Sequence, residues 1–250
     1  MCLLLEACSV GVYRSFDAAL RHPQKVVQLK ISYKKIDSIP EAIFSLPNVQ
    51  HIYFFKNQLT EIPPEIGRLK TLKSLVVSSN QLTEVPAEIG NLQRLERLSL
   101  SNNYLKELPP EIGKLQRLHE LELQMNDLQQ LPESLGNLSQ LAYVNLSNNG
   151  IENLPDSLQN WQNIKFVYIG RNNLQEIPQW IVQWQNLVEL DLRFSGNGLQ
   201  IPAQLAQIRS LEKLYIDYTA IVPNNLLFSN PRLQIIQTSP NELMDYGGGY

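Results

Sequence analysis

The sequence predicts an α/β solenoid, a right-handed coil with a parallel sheet on its concave face and short helical or irregular segments on its convex side. Three observations carry this prediction. The segment Leu95–Arg117, LERLSLSNNYLKELPPEIGKLQR, has close copies 23 residues before and after it, at Leu72–Arg94 and Leu118–Gln140. A ladder of asparagines and a ladder of prolines keep the same interval. Such a fixed period indicates stacked coils that bury their apolar faces against one another.

The first half of each repeat predicts a short strand. With Leu95 as position 1, Leu98 and Leu100 stand at positions 4 and 6, an alternation typical of a strand with one buried face. The remaining ~17 residues suffice for the crossover of a dozen or more that a parallel neighbour requires. Pro109, followed by an Ile112-x-x-Leu115 spacing, favours a short helix or a few irregular helical turns on the outer side.

Position 9 of the repeat is an asparagine, at the point where the chain bends away from the strand. An amide offers donors and an acceptor to backbone groups that a buried turn leaves unpaired, so we predict a structural role for this ladder. The asparagines are Asn57, Asn80, Asn103, Asn126, Asn149 and Asn172. The prolines are Pro40, Pro63, Pro86, Pro109, Pro132, Pro155 and Pro178.

The pattern LxxLxLxxNxLxxLPxxIGxLxx resembles that of the leucine-rich repeat proteins. The similarity is to their 23-residue intracellular class, known from bacterial repeat proteins, plant Ras-group-related proteins and Ras-binding scaffolds. It extends over Val26 to Thr238. The resemblance implies a horseshoe-shaped solenoid with a scaffold, signalling or host-interaction role. The motif residues are structural, so the resemblance does not identify a partner.

Four regions follow from the pattern. Residues 1–14 are predicted to be a flexible leader, residues 15–25 a helical cap, residues 26–238 about nine repeats with a final strand, and residues 239–250 a tail. In the cap, Ser15 is the predicted N-cap residue and Pro23 ends the helix. The cap helix is expected to cover both the first coil and the exposed sheet edge.

Seven repeats of 23 residues run from Val26 to Asn186, the first of them degenerate with Lys34 at position 9, and the pattern then loosens. In the sixth and seventh repeats Trp161 and Trp184 replace the leucine of position 21, and Gln159 and Val182 replace the glycine of position 19. We interpret the tryptophans as additions to the core on the convex side, with a convex partner site as the alternative. The eighth repeat, Leu187–Ser210, has 24 residues, and the ninth, Leu211–Arg232, has 22.

The first residues leave two interpretations open. Cys2 and Cys8 both precede the repeats, so they predict no disulfide framework across them. Leu5-Glu6-Ala7-Cys8 resembles the end of a bacterial lipoprotein signal, but the basic n-region is missing and Glu6 interrupts the apolar run. An unstructured leader and a cytoplasmic location are therefore the default. Export with a lipid anchor at Cys8 is the alternative.

Composition excludes several classes of function. A formal net charge of −3 over 250 residues argues against a general nucleic-acid or anionic-membrane binder. No apolar run approaches the ~18 residues of a transmembrane helix. Gly196 and Gly198 lack a phosphate-binding continuation, and no histidine and cysteine share a metal or nucleophile spacing. Glu120 and Glu122 are interpreted as exposed strand neighbours. We therefore predict a non-catalytic monomer without a metal or cofactor.

Positions 3, 5 and 7 of each coil point away from the leucines, onto the concave sheet. Side chains one repeat apart lie side by side at the strand spacing of ~4.8 Å. Exposed aromatic residues beside arginines are typical of protein-interface hot spots, although aromatic residues also suit strands. The predicted contact residues are Tyr53, Phe55, Val76, Tyr143, Phe166, Tyr168, Arg171, Asp191, Arg193 and Tyr215.

These residues predict a module that binds a protein or peptide on its concave face. Two alternatives stay open. The first is the substrate-recognition part of a larger or separately encoded enzyme, because the repeats resemble those fused to GTPase or ubiquitin-ligase domains. The second is a surface-anchored lipoprotein adhesin that is attached through Cys8.

Overall fold

A computed structural model of the chain describes residues 11–224, 226 and 230–238. These residues form one parallel sheet of eleven strands whose spatial order is the chain order. The strands are β1 (Val12–Tyr13), β2 (Gln28–Lys30), β3 (His51–Tyr53), β4 (Ser74–Val76), β5 (Arg97–Ser99), β6 (Glu120–Glu122), β7 (Tyr143–Asn145), β8 (Phe166–Tyr168), β9 (Glu189–Asp191), β10 (Lys213–Asp217) and β11 (Gln234–Thr238). The predicted α/β solenoid is confirmed.

The strand register follows the sequence period. Leu75 pairs with Leu98, and Leu98 pairs with Leu121, so the leucines of position 4 stack on one another in the fully buried interior. The ninth coil is shorter than predicted, since Lys213 pairs with Gln234. Its proline, Pro223, stands at position 13 instead of 15, and the return to the sheet is shortened to match.

The convex side consists of five-residue 3-10 helices, which is the short helical structure that the sequence predicts. Each follows a proline of the ladder, or Pro202 in the eighth coil, whose fixed φ suits the residue before a tight turn. The Ile112 N–H, for example, donates to the Pro109 carbonyl at 3.0 Å. The helices span Glu41–Ser45, Pro64–Arg68, Ala87–Asn91, Pro110–Lys114, Glu133–Asn137, Asp156–Asn160, Gln179–Gln183 and Ala203–Gln207.

Trp161 and Trp184 belong to the core, as interpreted from the sequence. Both side chains are fully buried, and their rings stack with centroids 5.7 Å apart. The indole N–H of Trp161 donates to the Leu135 carbonyl at 2.8 Å, and that of Trp184 to the Leu158 carbonyl at 2.7 Å. With their polar atoms satisfied inside the molecule, these two rings offer no surface to a convex partner.

The N-terminal end is capped by a helix and a strand. Helix α1 (Phe16–Arg21) begins after Ser15, whose Oγ accepts a hydrogen bond from the Ala18 N–H at 3.2 Å, as predicted. The prediction that this helix covers the edge of the sheet is wrong, because a strand pairs with the edge of β2. Val12–Tyr13, predicted to lie in the flexible leader, form β1, because the open edge of β2 can pair with a β-branched and aromatic dipeptide.

Several expectations fall outside the described residues. Cys8 and the lipoprotein-like segment lie in residues 1–10, and the predicted tail occupies residues 239–250. Across the described ranges, no helix is long and apolar enough to cross a membrane.

Candidate interaction surface on the concave face

The asparagine ladder fixes the turn that follows each strand. Asn103 donates through Nδ2 to the carbonyls of Val77, at 3.0 Å, and Leu100, at 2.9 Å. Its Oδ1 accepts the Leu82 N–H at 3.0 Å. Each asparagine therefore links its own strand to the preceding coil and holds the turn in place. In the eighth coil Ser195 substitutes, donating through Oγ to the Ile169 carbonyl at 2.8 Å.

Position 8 adds a column of side chains, of which sequence reasoning placed only Arg171 on this surface. In eight consecutive coils its residue has a positive φ, between 54° and 59°. The N–H at this position continues the pairing of the strands, as between Lys56 and the Ser78 carbonyl at 3.0 Å. Position 8 thus lies beside position 7 of the next coil. The residues are Tyr33, Lys56, Ser79, Asn102, Met125, Asn148, Arg171 and Phe194.

Seven of the predicted contact residues gather over β7 to β10. We call six of them the C-terminal cluster: Tyr143, Phe166, Tyr168, Arg171, Arg193 and Tyr215. The Tyr143 ring lies 6.5 Å from the Phe166 ring and 5.5 Å from the Tyr168 ring, between centroids. The Tyr168 hydroxyl donates to Glu189 Oε1 at 3.0 Å. Burial, together with this bond, raises the pKa of Tyr168, so the hydroxyl keeps its proton at neutral pH.

The seventh residue, Asp191, has a different position from the other six. Its side chain is buried, and its carboxylate accepts hydrogen bonds from Arg193 Nε at 2.9 Å and Nη2 at 2.6 Å. The Arg193 guanidinium in turn lies 4.9 Å from the centroid of the Tyr215 ring. Asp191 is therefore placed to orient Arg193, and it presents little surface of its own.

A cavity of about 180 Å³ adjoins the C-terminal cluster. Gly170 lines it without a side chain, and a Cβ at this residue would lie 3.0 Å from the Arg193 carbonyl oxygen of the next coil. Phe194 was missed by sequence reasoning, and its ring lies 5.5 Å from the Arg171 guanidinium carbon. The cavity is lined by Ser147, Asn148, Gly170, Arg171, Asp191, Arg193, Phe194 and Thr238.

The other predicted contact residues lie over β3 and β4. Tyr53 pairs with Val76 across the two strands, and Phe55 follows on the same face. The structure adds Tyr33, whose ring contacts that of Phe55 edge-on at 5.3 Å and whose surface is 65% exposed. The signal that could have located Tyr33 is its place immediately before position 9.

Charged residues separate the two aromatic groups. Arg97 Nη2 lies 3.3 Å from Glu120 and 2.9 Å from Glu122, and Ser99 donates to Glu122. Burial, and a hydrogen bond with Glu122, raise the pKa of Glu120, which Arg97 opposes. This network connects neighbouring strands. Within the part of the chain that the structure describes, no group of His, Cys, Asp and Glu could hold a metal ion.

Comparison with known proteins agrees with this architecture. A family model described as leucine rich repeat matches residues 70–128 and 93–151. No curated protein sequence matches the chain. The solved functional domain of InlJ from Listeria monocytogenes has a TM-score of 0.73 at 19% identity, over 86% of this chain and 44% of that one. Internalin C2 from the same organism gives 0.68 at 22% identity, over 80% and 84%.

A plant structure is similar as well. The ectodomain of the membrane receptor kinase GASSHO1/SCHENGEN3 from Arabidopsis thaliana, in complex with CASPARIAN STRIP INTEGRITY FACTOR 2, gives a TM-score of 0.70 at 26% identity. The match covers 86% of this chain and 30% of the receptor chain, so this chain corresponds to a minor part of that ectodomain. The strand register, the asparagine-linked turns and these matches show a solenoid with the fold of leucine-rich repeat proteins, and the family model itself covers residues 70–151.

Proposed function

We propose that this protein is a non-catalytic, monomeric binding module with a scaffold, signalling or host-interaction role. Its concave face holds a protein or peptide partner, and the main contacts are made by the C-terminal cluster. One observation carries the proposal: a group of aromatic rings on the concave face lies beside Arg171 and Arg193, and these two arginines line the adjoining cavity. Tyrosine and arginine are enriched among the residues that dominate binding energy at protein interfaces.

The cluster is also held in place before any partner arrives. Tyr168 is fixed by its hydrogen bond to Glu189, and Arg193 by the paired bonds to Asp191. Side chains that are already ordered lose less conformational entropy on binding, so more of the contact energy remains as affinity. The similar plant receptor ectodomain was solved as a complex, which supports a binding role for a solenoid of this kind.

The test is a double substitution, Phe166→Glu with Tyr168→Glu, followed by affinity capture from a lysate of the source organism. We expect the wild type to retain a partner that the variant loses, with an affinity at least about 30-fold lower, because each hot-spot residue contributes ~2 kcal/mol or more. Titration of the purified partner measures the ratio.

The matched control is Gln81→Glu with Tyr104→Glu, which adds the same charge at two exposed residues outside the cluster. It should retain the partner at wild-type affinity. Circular dichroism checks that both variants are folded. Unchanged affinity in the Phe166/Tyr168 variant would place the partner elsewhere and overturn the assignment of the cluster.

A further inference from the structure

Charge is distributed unevenly along the solenoid. Residues 11–73 contain ten Lys and Arg against five Asp and Glu, whereas residues 74–250 contain eleven against eighteen. Because the coils stack in chain order, this asymmetry along the sequence becomes an asymmetry in space. The N-terminal coils are basic and the rest of the molecule is acidic, which the overall net charge of −3 conceals.

Two lysines of the basic end lie over aromatic rings on the concave face. Lys30 Nζ is 5.3 Å from the centroid of the Tyr53 ring, and Lys56 Nζ is 5.6 Å from that of the Tyr33 ring. Among the described residues, no carboxylate lies within 4 Å of either ammonium group. A ring attracts a cation without neutralising it, so both positive charges stay available to a partner.

These residues form one continuous surface. Lys30 pairs with Tyr53 across β2 and β3, and the Tyr33 ring contacts that of Phe55. We call Lys30, Tyr33, Tyr53, Phe55 and Lys56 the basic-aromatic surface. The positive charge around this surface also affects the neighbouring His51. Burial lowers the pKa of the His51 side chain most. Lys73 and Lys30 lower this pKa further, and Glu96 raises it.

We propose that the basic-aromatic surface binds an acidic segment of a protein partner. Carboxylates of the segment pair with Lys30 and Lys56, and its apolar parts lie on the rings of Tyr33, Tyr53 and Phe55. This inference rests on the proposed function, because it gives the chemistry of a second contact region on the same concave face. Complementary charge also accelerates the encounter with such a partner.

The charges further along the sheet favour a short acidic segment over a nucleic acid. Glu120 and Glu122 lie on β6, three strand spacings or about 14 Å from β3. A long polyanion that followed the concave face would meet these carboxylates, whereas a short segment ends before it reaches them. Exposed rings can also stack on bases, so the test includes an oligonucleotide.

The experiment measures fluorescence anisotropy of a labelled octaglutamate peptide with the full chain at low salt. We expect binding that weakens as salt is added. Lys30→Gln with Lys56→Gln should lower the affinity about tenfold, as expected for the loss of two exposed ion pairs. The control, Lys106→Gln with Lys165→Gln, removes the same charge from exposed residues elsewhere and should leave the affinity within about twofold.

Three results would overturn the proposal: absence of octaglutamate binding, an equal loss of affinity in the control, or tighter binding of an octathymidine oligonucleotide than of the peptide. None of them bears on the C-terminal cluster. Conversely, a Phe166/Tyr168 variant that keeps its partner would overturn the proposed function while octaglutamate still binds. Either proposal can therefore be overturned while the other one stands.

Discussion

In six coils, one asparagine connects three parts of the chain. Asn103 bonds to Leu100 just after its own strand, to Val77 just after the previous strand and to Leu82 in the previous loop. All of these backbone groups are away from water, where an unpaired donor or acceptor costs ~1–3 kcal/mol. The ladder is thus a series of cross-links between neighbouring coils.

Asn103→Ala should lower the free energy of unfolding by about 1–3 kcal/mol, because it leaves the buried Leu82 N–H unpaired and removes one of the two amide donors to each of the Val77 and Leu100 carbonyls. Urea denaturation followed by circular dichroism measures the difference. Asn173→Ala is the matched control: this asparagine is exposed in the seventh coil, and its removal should cost less than about 0.5 kcal/mol. Equal losses in the two variants would contradict the structural role of the ladder.

The residue scale also shows where prediction from sequence ends. The amide at position 9 could be predicted because its spacing and its hydrogen-bonding capacity both suit a buried turn. The left-handed backbone at position 8 could not, since Tyr33, Arg171 and Phe194 lack the glycine that usually indicates a positive φ. Asp191 looked like an exposed contact because its pairing with Arg193 depends on side-chain conformation that a sequence does not specify.

At the scale of elements, two structural features set the distance between coils on the convex side: the glycine of position 19, and the two buried tryptophans where this glycine is replaced. Gly90, at position 19, approaches the next coil so closely that a Cβ would lie 2.6 Å from the Glu111 carbonyl oxygen. In the sixth and seventh coils the glycine is replaced by Gln159 and Val182, and the 3-10 helices pack less closely there. The larger rings of Trp161 and Trp184 fill the interior at this point.

Gly90→Ala should therefore destabilise the protein by about 1–3 kcal/mol, since the added methyl group meets backbone that cannot move without separating two coils. Thermal unfolding measures the effect as a lower Tm. In Gly150→Ala the nearest atom to the new Cβ, the Leu128 carbonyl oxygen, is 3.6 Å away, an ordinary contact. A Gly90 variant as stable as the Gly150 variant would show that the coils are not held at this distance.

The elements themselves were predictable to different degrees. Period-2 leucines predict the inner strands, and a proline before a short apolar spacing predicts the outer turns, because both patterns recur in every coil. Strand β1 was not predictable. A dipeptide such as Val12–Tyr13 has no periodicity, and its pairing is set by the open edge of β2 instead of by its own sequence.

For the whole molecule, the arrangement of the two contact regions limits what can bind both. The basic-aromatic surface is centred on β3 and the C-terminal cluster on β8, five strand spacings or about 24 Å apart. A single partner must cross the charged strands β5 and β6 to reach both. The sequence columns predicted the two aromatic regions, since a regular register converts spacing along the chain into position on the sheet. They did not predict which charges would be paired.

The stacked indoles of the core have a consequence for spectroscopy. All three tryptophans of the chain lie between residues 161 and 184, with Trp180 edge-on to Trp184 at 5.6 Å. Tryptophan emission therefore reports only on the sixth and seventh coils, while circular dichroism averages over the whole solenoid. Because each coil contacts mainly its neighbours, distant coils are coupled only through those between them.

Comparing these two signals shows how far destabilisation of the third coil extends along the solenoid. In Gly90→Ala we expect the urea midpoint measured by circular dichroism to fall further than the midpoint measured by tryptophan emission. Two coincident curves would mean that all coils unfold as one cooperative unit.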